Sequence, residues 1–439
     1  MQPDSQTSFR LGHMDDQISE LPDEILISIL SFLTPKEAAR TSVLSSKWRY
    51  LWTFCTGHML FNEDEWHVDW SRLVTQINEI MKLHKGMSLE GFTIDFCKVC
   101  SVEDIDHWIE FAAKKRVKKL QLVFGSKRIA TLGRCFTKIQ VRPNLNFEYL
   151  KVLWLVKLNL REGAAMNCLL SSSPNLEKLC LCDLDGLSEL LVPSLCLMLK
   201  VLHVVRCHPL RKLEISARSI EEFRLIGFRV DIKIKELHQL HNLRFGDRRH
   251  RHTTLSDLMA HLFGILPMCQ LKELTLDVWT WKQPRTIDVK QFGLPKLNYL
   301  RLAIVPTEGD EMLSWMYLLE AAPVLHTLEI YFCWESGFVQ TLAMFDMHRI
   351  QPNRCIKVVK AAQFVGLPDV DTQVVKTVIK HVELLEKLII LPYSEAEGPE
   401  LPVLTSGMKK QMNDSIAQLR DEGFLPSGVE LVMERGPYN

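Results

Sequence analysis

The 439-residue sequence lacks an excess of charge of either sign, because 53 Lys and Arg balance 53 Asp and Glu. A chain without net charge has no bulk electrostatic reason to bind nucleic acid or an acidic membrane surface. The sequence also lacks an apolar run that could span a bilayer, since its most apolar stretch, 190–205, contains Pro193 and Lys200. With 47% hydrophobic and 24% charged residues, the composition is that of a well-packed soluble protein.

Signals for export and for catalysis are also missing. Residues 1–17 lack the apolar region of a secretory signal, so we expect the twelve cysteines to be reduced and the chain to lie in the cytoplasm or nucleus. There is no glycine-rich phosphate loop, no His-Glu-x-x-His and no Gly-x-Ser-x-Gly motif. We therefore predict that the chain is not an enzyme and needs no cofactor.

Three polar clusters leave alternatives open. Cys97 and Cys100 have the spacing of zinc ligands, but a second pair at a matching distance is missing, so we expect two thiols and no metal. The arginine- and histidine-rich residues 248–252 could contact an anion, bind a metal or form a solvated loop. The basic residues 114–119 could serve nuclear import, or belong to a strand whose apolar positions are Val117 and Leu120.

The most informative stretch is 18–54, for which we predict three short helices. Each predicted start carries residues that are typical of helix N-termini. These are Pro22 at the first helical position, Thr34 with Glu37 as a capping box, and Ser45 or Ser46 as the third cap. Segments of about 40 residues rarely stabilise themselves, so these helices need further contacts.

The first of these helices carries more apolar surface than a self-contained fold uses. A surface helix needs an apolar stripe of only about 100°, and here the apolar residues cover more than half of the circumference. They are Ile25, Leu26, Ile27, Ile29, Leu30, Phe32 and Leu33. Some of this surface must be covered by the rest of the chain or by another protein.

This stretch resembles the F-box, through Leu-Pro-Asp-Glu-Ile-Leu, Ile-Leu-Ser-Phe-Leu and Val-Leu-Ser followed by Lys-Trp-Arg and Leu-Trp. The resemblance implies docking to a Skp-type linker protein, which connects to a cullin and so to a ubiquitin-conjugating enzyme. Carried over residue by residue, the docking surface would use Leu21, Pro22, Ile25, Leu26, Ile29, Leu30, Val43, Leu44 and Trp48. The sequence leaves open which of them face the partner and which face the chain's own repeats. The alternative is an ordinary helical cap on a repeat domain.

Most of the chain consists of repeats that have apolar residues at positions one, four and six. The repeats recur at intervals of roughly 20 to 33 residues, which overlap the range of leucine-rich repeats. They begin at Leu89, Val117, Leu150, Leu176, Leu199, Ile220, Leu240, Leu271, Leu297, Leu325, Ile356 and Leu385, and the repeat at Ile356 is weaker. One strand per coil with alternate residues buried explains the pattern, and each coil must stack on its neighbours.

The segments between the repeats predict a mixed outer face. An extra copy of the pattern at 210–215 and an alternating stretch at 230–234 predict strands there, whereas 254–266 and 310–322 have helical periodicity. The predicted fold class is therefore α/β: a short three-helix F-box followed by a leucine-rich-repeat solenoid. Its parallel sheet is concave, and helices and strands share its outer face. The alternative is a plain β-sheet protein.

The carboxyl part resembles the FBD-type extension of plant F-box proteins with leucine-rich repeats, through residues 355–359, 363–366 and 384–388. A helix at 406–421 and a short strand at 429–433 are predicted to cap the solenoid. We predict a disordered N-terminus at 1–15, an F-box at 16–56, a helical linker or N-terminal cap at 57–86, leucine-rich repeats at 87–350, FBD-type terminal repeats at 351–392 and a C-terminal cap at 393–439.

The concave face is the candidate surface for a target protein, because position five of each repeat points out of the sheet. Position five is occupied in order by Thr93, Gln121, Trp154, Cys180, His203, Arg224, Arg244, Thr275, Arg301, Glu329 and Lys360. Like charges opposite each other are unfavourable, so a bound anion or acidic segment would relieve the pair Arg224 and Arg244. Trp154, Arg301 and Tyr331 complete the predicted target-binding set. The alternative is a row of solvated arginines neutralised by Glu222 and Glu273.

These features together predict a non-catalytic substrate-recognition subunit of an SCF-type ubiquitin ligase. In this hypothesis the F-box docks on the linker and the repeat arc binds an unknown target protein, with no nucleic acid or membrane involved. The alternative is a repeat-based scaffold or ligand sensor that binds the linker without promoting degradation.

Overall fold

The computed structural model describes residues 17–62, 66, 70–96, 101–125, 137–138, 145–160, 164–227, 230–235, 237–247, 262–266, 268–278, 293–304, 315–334, 352–393, 405–421 and 424–434. The predicted disordered N-terminus at 1–15, Cys97 and Cys100, and residues 248–252 lie outside these ranges. Within them, no helix is long and apolar enough to cross a membrane.

Helices occur at the amino end, on the outer side of the coils and near the carboxyl end. They are α1 (Asp23–Leu30), α2 (Pro35–Arg40), α3 (Trp48–Leu51), α4 (Trp70–Leu83), α5 (Val102–Lys114), α6 (Ala164–Ser171), α7 (Tyr317–Ala321), α8 (Asp371–Lys380) and α9 (Ser406–Asp421). Short 3-10 turns cover Thr41–Val43, Trp52–Phe54 and Met268–Gln270. Residues 262–265 are also helical.

Strands make up the inner face and part of the outer face. They are β1 (His58–Asn62), β2 (Gly91–Phe96), β3 (Lys119–Phe124), β4 (Thr137–Lys138), β5 (Val152–Val156), β6 (Leu158–Asn159), β7 (Lys178–Cys182), β8 (Glu189–Val192), β9 (Val201–Val205), β10 (Lys212–Ile215), β11 (Glu222–Gly227), β12 (Asp231–Ile234), β13 (Asn242–Asp247), β14 (Glu273–Val278), β15 (Tyr299–Ile304), β16 (Thr327–Phe332), β17 (Val358–Phe364), β18 (Lys387–Pro392) and β19 (Glu430–Met433).

One 14-stranded parallel sheet runs the length of the chain, in the order β1-β2-β3-β5-β7-β9-β11-β13-β14-β15-β16-β17-β18-β19. Every predicted repeat contributes one strand, and each neighbouring pair has equivalent repeat positions opposite each other, as Leu202 and Phe223 show. Apolar side chains at positions four and six point into a continuous core, where Leu202, Leu225 and Leu274 are buried. The predicted solenoid is confirmed.

The outer face is mixed, as predicted. Strands β8, β10 and β12 form a small parallel sheet of their own, and β10 and β12 coincide with the predicted outer strands. Strand β8 was not predicted. Of the predicted helical segment 310–322, the described part contains α7, and of the segment 254–266, residues 262–265 are helical.

The stretch predicted as a helical linker, 57–86, contains a strand as well as a helix. Strand β1 pairs with β2 and forms the first edge of the large sheet. Its alternating pattern buries Met59 and Phe61 while their neighbours stay half-buried, which is typical of a sheet strand. Helix α4 then buries Leu73, Ile77 and Met81 in the same core. This stretch therefore opens the repeat domain.

The FBD-like residues 363–366 lie at the end of β17 and in the turn that follows it. The backbone of Gln363 is left-handed at φ 58°, and so is that of Gly366 at φ 81°. A Cβ at Gly366 would lie 2.6 Å from the Cα of Met412, so only glycine lets helix α9 pack this closely. The hydroxyl of Ser415 on α9 donates to the Gly366 carbonyl at 2.7 Å. The repeat that begins at Ile356 has the weaker sequence pattern but forms a regular coil, because its strand β17 pairs with both β16 and β18.

A buried carboxylate, that of Asp371 at the start of α8, holds this turn together. It accepts hydrogen bonds from the backbone N–H groups of Val365, Gly366, Leu367 and Thr372, at 2.6 to 2.9 Å. Burial raises the pKa of this carboxyl to about 6, against the opposite effect of the four donors. The group therefore ties the end of β17 to the start of α8.

We predict that Asp371→Ala destabilises the carboxyl coils by at least about 3 kcal/mol, since each buried donor left without a partner costs roughly 1–3 kcal/mol. Asp371→Asn keeps one acceptor oxygen and should have an intermediate effect. The matched control is Asp369→Ala, because Asp369 is exposed on the same turn. Urea denaturation measures the effect, and equal midpoints for Asp371→Ala and Asp369→Ala would contradict the assigned role.

Candidate functional site

The amino-terminal helices form a unit with its own small core. Leu26 and Leu30 of α1 pack there with Ala38, Trp48 and Leu51. The acidic residues Asp23 and Glu24 in the first turn of α1 favour this helix start electrostatically. Five buried residues are a minimal core, so this unit relies on its contacts with the solenoid.

Local capping in this unit follows the prediction at α2 and departs from it at α1 and α3. Pro22, predicted as the first helical residue, precedes α1, which begins at Asp23. At α2 the Thr34 hydroxyl accepts from the Glu37 N–H, and the Glu37 carboxylate accepts from the Thr34 N–H at 3.0 Å, which confirms the capping box. The Thr34 N–H and hydroxyl both donate to the Glu37 carboxylate and lower its pKa. The predicted serine cap of α3 is wrong: Lys47 precedes α3, its backbone is already helical and no side chain caps it.

Three residues of the predicted docking surface lie inside this core instead. Leu26, Leu30 and Trp48 are buried, and the indole N–H of Trp48 donates to the Ser19 hydroxyl at 2.8 Å. Their assignment to the docking surface is therefore corrected, because a partner cannot contact side chains that other residues of the same chain cover. Leu21 is half-buried against the same core. These residues pack in the core beneath the docking surface.

The other predicted docking residues are exposed. Ile25 and Ile29 lie four residues apart on the outward side of α1, while Val43 is 87% exposed and Leu44 62% exposed at the 3-10 turn. The exposed F-box residues, as we call this set, are Pro22, Ile25, Ile29, Phe32, Val43 and Leu44. Phe32 is 89% exposed and was not among the predicted contacts, although its place on the apolar arc of α1 signalled it. Large apolar side chains concentrated at a surface mark an interaction site.

A close backbone contact joins these helices to the solenoid. A Cβ at Gly57 would lie 1.8 Å from the Ser31 carbonyl oxygen, so any other residue would force the two segments apart. The Ser31 hydroxyl accepts from the Thr56 N–H at 3.0 Å, and the Thr56 carbonyl accepts from the Glu90 N–H at 2.9 Å. The chain from α1 is thus tied to the start of β2 through consecutive hydrogen bonds.

Buried polar groups reinforce this joint. The ring Nε2 of His84 forms a hydrogen bond with the Cys55 carbonyl at 2.8 Å, and burial lowers the pKa of this histidine. The Lys115 ammonium donates to the carbonyls of His84 and Gly86 at 3.0 and 2.8 Å. Because the joint consists of short backbone and buried contacts, it fixes the exposed F-box residues relative to the first coils.

The concave face carries the predicted row of position-five residues. In strand register, Trp154 lies opposite Cys180, Cys180 opposite His203 and His203 opposite Arg224. Arg224 lies opposite Arg244, and the order continues through Thr275 to Arg301. The predicted order of the row is therefore confirmed, including the direct opposition of two arginines.

Two of the predicted target-binding arginines have partners within the chain. Nε and Nη2 of Arg244 donate to one oxygen of Asp277 at 2.8 and 2.7 Å. Arg301 lies 3.3 Å from the Glu329 carboxylate and stacks over the ring of Tyr331, 4.6 Å from its centroid. Trp154 is 37% exposed and available for contact.

The carboxylates proposed to neutralise the row do not neutralise Arg224 or Arg244. Glu222 forms a hydrogen bond with His203 Nε2 at 2.6 Å, and Glu273 accepts from the Asn242 amide at 2.7 Å. The partner of Arg244 is Asp277, which was not among the predicted residues. Asp277 lies two residues after position five of β14 and so on the same face of the sheet, which is the signal that could have identified it.

Arg224 differs from the other arginines of the row. Its Nε atom is buried without a hydrogen-bond partner, as is that of Arg301. Arg301, however, has an ion pair with Glu329, whereas no ion pair joins Arg224 to another residue that the structure describes. Burial lowers the pKa of Arg224, the positive charge of Arg244 lowers it further, and the Asp277 carboxylate offsets only part of this. The guanidinium is therefore short of negative charge.

The Cys180 thiol on this face lies next to a histidine but is held in its neutral form. Cys180 Sγ lies 3.6 Å from His203 Nδ1, but burial raises the pKa of this thiol to about 12, so it stays protonated and unreactive at neutral pH. Across the described ranges, no group of three or more His, Cys, Asp or Glu residues could hold a metal ion.

Of the basic residues 114–119, Lys119 begins β3, and Val117 and Leu120 are buried.

We predict that Gly57→Ala weakens the joint by about 1–3 kcal/mol, the usual cost of forcing atoms into a packed site. The matched control is Gly264→Ala, because a Cβ at Gly264 meets no atom within 4 Å. Urea denaturation and hydrogen exchange of the amides of residues 85–90 measure the effect. Equal exchange in both variants would show that the close contact does not hold the two parts together.

Two family models match this chain, one over the amino-terminal helices and one over most of the repeats. A family model of the F-box domain matches residues 18–56, and the model described as At1g61320/AtMIF1, LRR domain, matches residues 80–366. Neither of the two matches indicates an enzyme family.

Several curated proteins of Arabidopsis thaliana are similar to this chain. The putative FBD-associated F-box protein At5g56440 is 31% identical over 188 residues, which cover 38% of this chain and 43% of the relative. The FBD-associated F-box protein At1g66310 is 30% identical over 201 residues, 42% of this chain and 45% of the relative. The F-box/FBD/LRR-repeat protein At1g13570 is 32% identical over 197 residues, 40% and 46%. The matched region thus spans less than half of the length of each of these relatives.

Proposed function

Because the chain belongs to the leucine-rich-repeat family of the At1g61320/AtMIF1 type and carries an F-box, we propose that it is a substrate-recognition subunit of an SCF-type ubiquitin ligase. The F-box docks on a Skp-type linker protein, and through it on a cullin. The concave repeat face binds the protein to be ubiquitylated. The observation that carries the proposal is the concentration of exposed apolar side chains on the F-box helices, above a buried core that holds them in place.

The energetics of this surface support a docking role. Phe32, Val43 and Leu44 are mostly exposed, and burying one such side chain is worth roughly 1.5–3 kcal/mol. A partner that covered all three would therefore gain several kcal/mol before the costs of association. An isolated soluble domain has no reason to keep this much apolar area in contact with water.

The proposed subunit makes and breaks no covalent bond itself. Its contribution is effective concentration, since it holds a target lysine near the charged conjugating enzyme. The joint around Gly57 suits this role, because a fixed F-box keeps the concave face in one direction relative to the ligase core. We place this activity in the cytoplasm or nucleus.

We predict that changing Val43 and Leu44 together to Ala lowers the affinity for a Skp-type linker at least tenfold, because two apolar side chains that the linker would cover are lost. Isothermal titration calorimetry with the purified linker measures the effect. The matched control is Leu191→Ala with Leu197→Ala, a pair that is also exposed but lies on the outer side of the solenoid, far along the chain. Equal affinity of both double variants would contradict docking at this surface.

The wider proposal is tested by affinity purification of the full chain with mass spectrometry. We expect to recover the linker, the cullin and a third protein whose level rises when the chain is removed. Recovery of the linker without any protein that is turned over would favour the scaffold or sensor alternative.

A further inference from the structure

The strongest unexplained feature outside the F-box is the charge arrangement around Arg224. Along the position-five row of the described strands, Arg224 and Arg244 are the one place where two side chains of like charge lie directly opposite each other. Neighbouring parallel strands are about 4.8 Å apart, so the two side chains start from nearly the same place. Like charges at this position destabilise a sheet unless something neutralises them.

The nearby carboxylates are already engaged. Asp183 forms a bidentate ion pair with Arg206 at 2.6 and 2.7 Å, and Asp277 accepts from Arg244. Glu222, on the same strand and face as Arg224, is turned to His203. Arg224 is left without a carboxylate partner among the described residues.

The hydrogen-bonding capacity points in the same direction. Nε of Arg224 is buried without an acceptor, and leaving a buried donor without a partner is unfavourable. Nε and Nη2 of Arg244 both donate to a single oxygen of Asp277, and no described hydrogen bond uses Nη1 of Arg244. Terminal nitrogens of two guanidinium groups on adjacent strands therefore have no described hydrogen-bond partner.

We propose that Arg224 and Arg244 form a binding site for a phosphate ester, carried by a phosphorylated segment of the target protein. The inference rests on the proposed function, since it names the chemistry that the concave face recognises. A phosphate ester carries a charge of about −1.5 to −2 at neutral pH and has three acceptor oxygens. Those oxygens point in different directions and so bridge two guanidinium planes, whereas the two oxygens of a carboxylate fit one guanidinium edge.

Trp154 adds a second contact at a defined distance. It lies three strands from Arg224 along the row, which is about 14 Å at the usual strand spacing. An extended peptide covers that distance in about four residues. A segment with a large apolar residue about four positions from the phosphorylated one would therefore reach both sites across the concave face.

The test compares two synthetic peptide pools with the purified full chain by fluorescence anisotropy. One pool has phosphoserine at a fixed central position, the other has serine there, and the flanking positions are degenerate in both. We expect the phosphorylated pool to bind at least tenfold more tightly, since hydrogen bonds to charged groups are worth about 1.5–3 kcal/mol. Equal binding of the two pools would overturn the proposal.

Three variants connect the preference to the site. Arg224→Gln should reduce the preference to about that of the serine pool, while Arg211→Gln, an exposed arginine outside the concave row, should leave it unchanged. Asp277→Asn removes the carboxylate that competes for Arg244 and should increase phosphopeptide affinity a few-fold. A gain of binding cannot result from a folding defect. A preference that survives Arg224→Gln, or a loss in Asp277→Asn, would overturn the proposal.

A further arm identifies the source of the phosphate. Inorganic pyrophosphate should compete with the phosphopeptide pool in the wild-type chain but not change the melting temperature of Arg224→Gln. If pyrophosphate stabilises the wild-type chain through Arg224 and neither peptide pool binds, the site binds a free phosphate compound. The proposal that a phosphorylated segment occupies it would then be overturned. Linker affinity, measured on the same preparations, reports on the F-box separately, so failure of one proposal is distinguishable from failure of the other.

Discussion

The structure depends on one constraint, which is that no coil can bury its own apolar face. Each coil contributes one short strand with two or three inward side chains, and only the coils on either side can cover them. The result is a single core that extends from Met59 to Leu419, with one parallel sheet along it. The ends of such a stack expose the same apolar face that the interior buries, so both ends need a cover. Helix α4 packs into this core at one end, and α9 with β19 covers it at the other.

The same constraint determines the concave surface. Because the inward residues fix the register, the outward residues at position five are forced into a straight row regardless of their charge. A row of this kind has no freedom to separate Arg224 from Arg244, and neutralisation has to come from residues on neighbouring rows, as Asp277 does for Arg244. The unpaired state of Arg224 is thus a cost that the repeat geometry imposes and that the local sequence does not remove. In a stacked architecture such a cost stays local, because each coil contacts only its neighbours.

Much of this fold follows from periodic patterns in the sequence. Strands β2 to β18 of the large sheet, their register and the order of the concave row follow from apolar residues at positions one, four and six, because burial of alternate side chains permits one register only. Strands β1 and β8 were not predicted. Each has three apolar residues of which only two are buried, so the periodic signal is weak, and burial of Met59 and Phe61 depends on a neighbour that is 33 residues away. The helix α9 was predicted with its observed bounds, since its amphipathic pattern is long.

Contacts within the candidate sites were harder to predict, for a physical reason. A helical wheel shows how wide the apolar arc of α1 is, but it does not show which part of the arc meets Trp48 and which part meets solvent. That division depends on the path of the chain through the joint at Gly57, where the main-chain atoms of residues 31 and 57 nearly touch. The side chains that form the core of the F-box and those available for a partner are therefore interleaved on one helix, with Leu26 and Leu30 inward and Ile25 and Ile29 outward. Since adjacent residues serve opposite sides, a substitution on the inward side would disturb the outward surface as well, and only the outward residues report on docking alone.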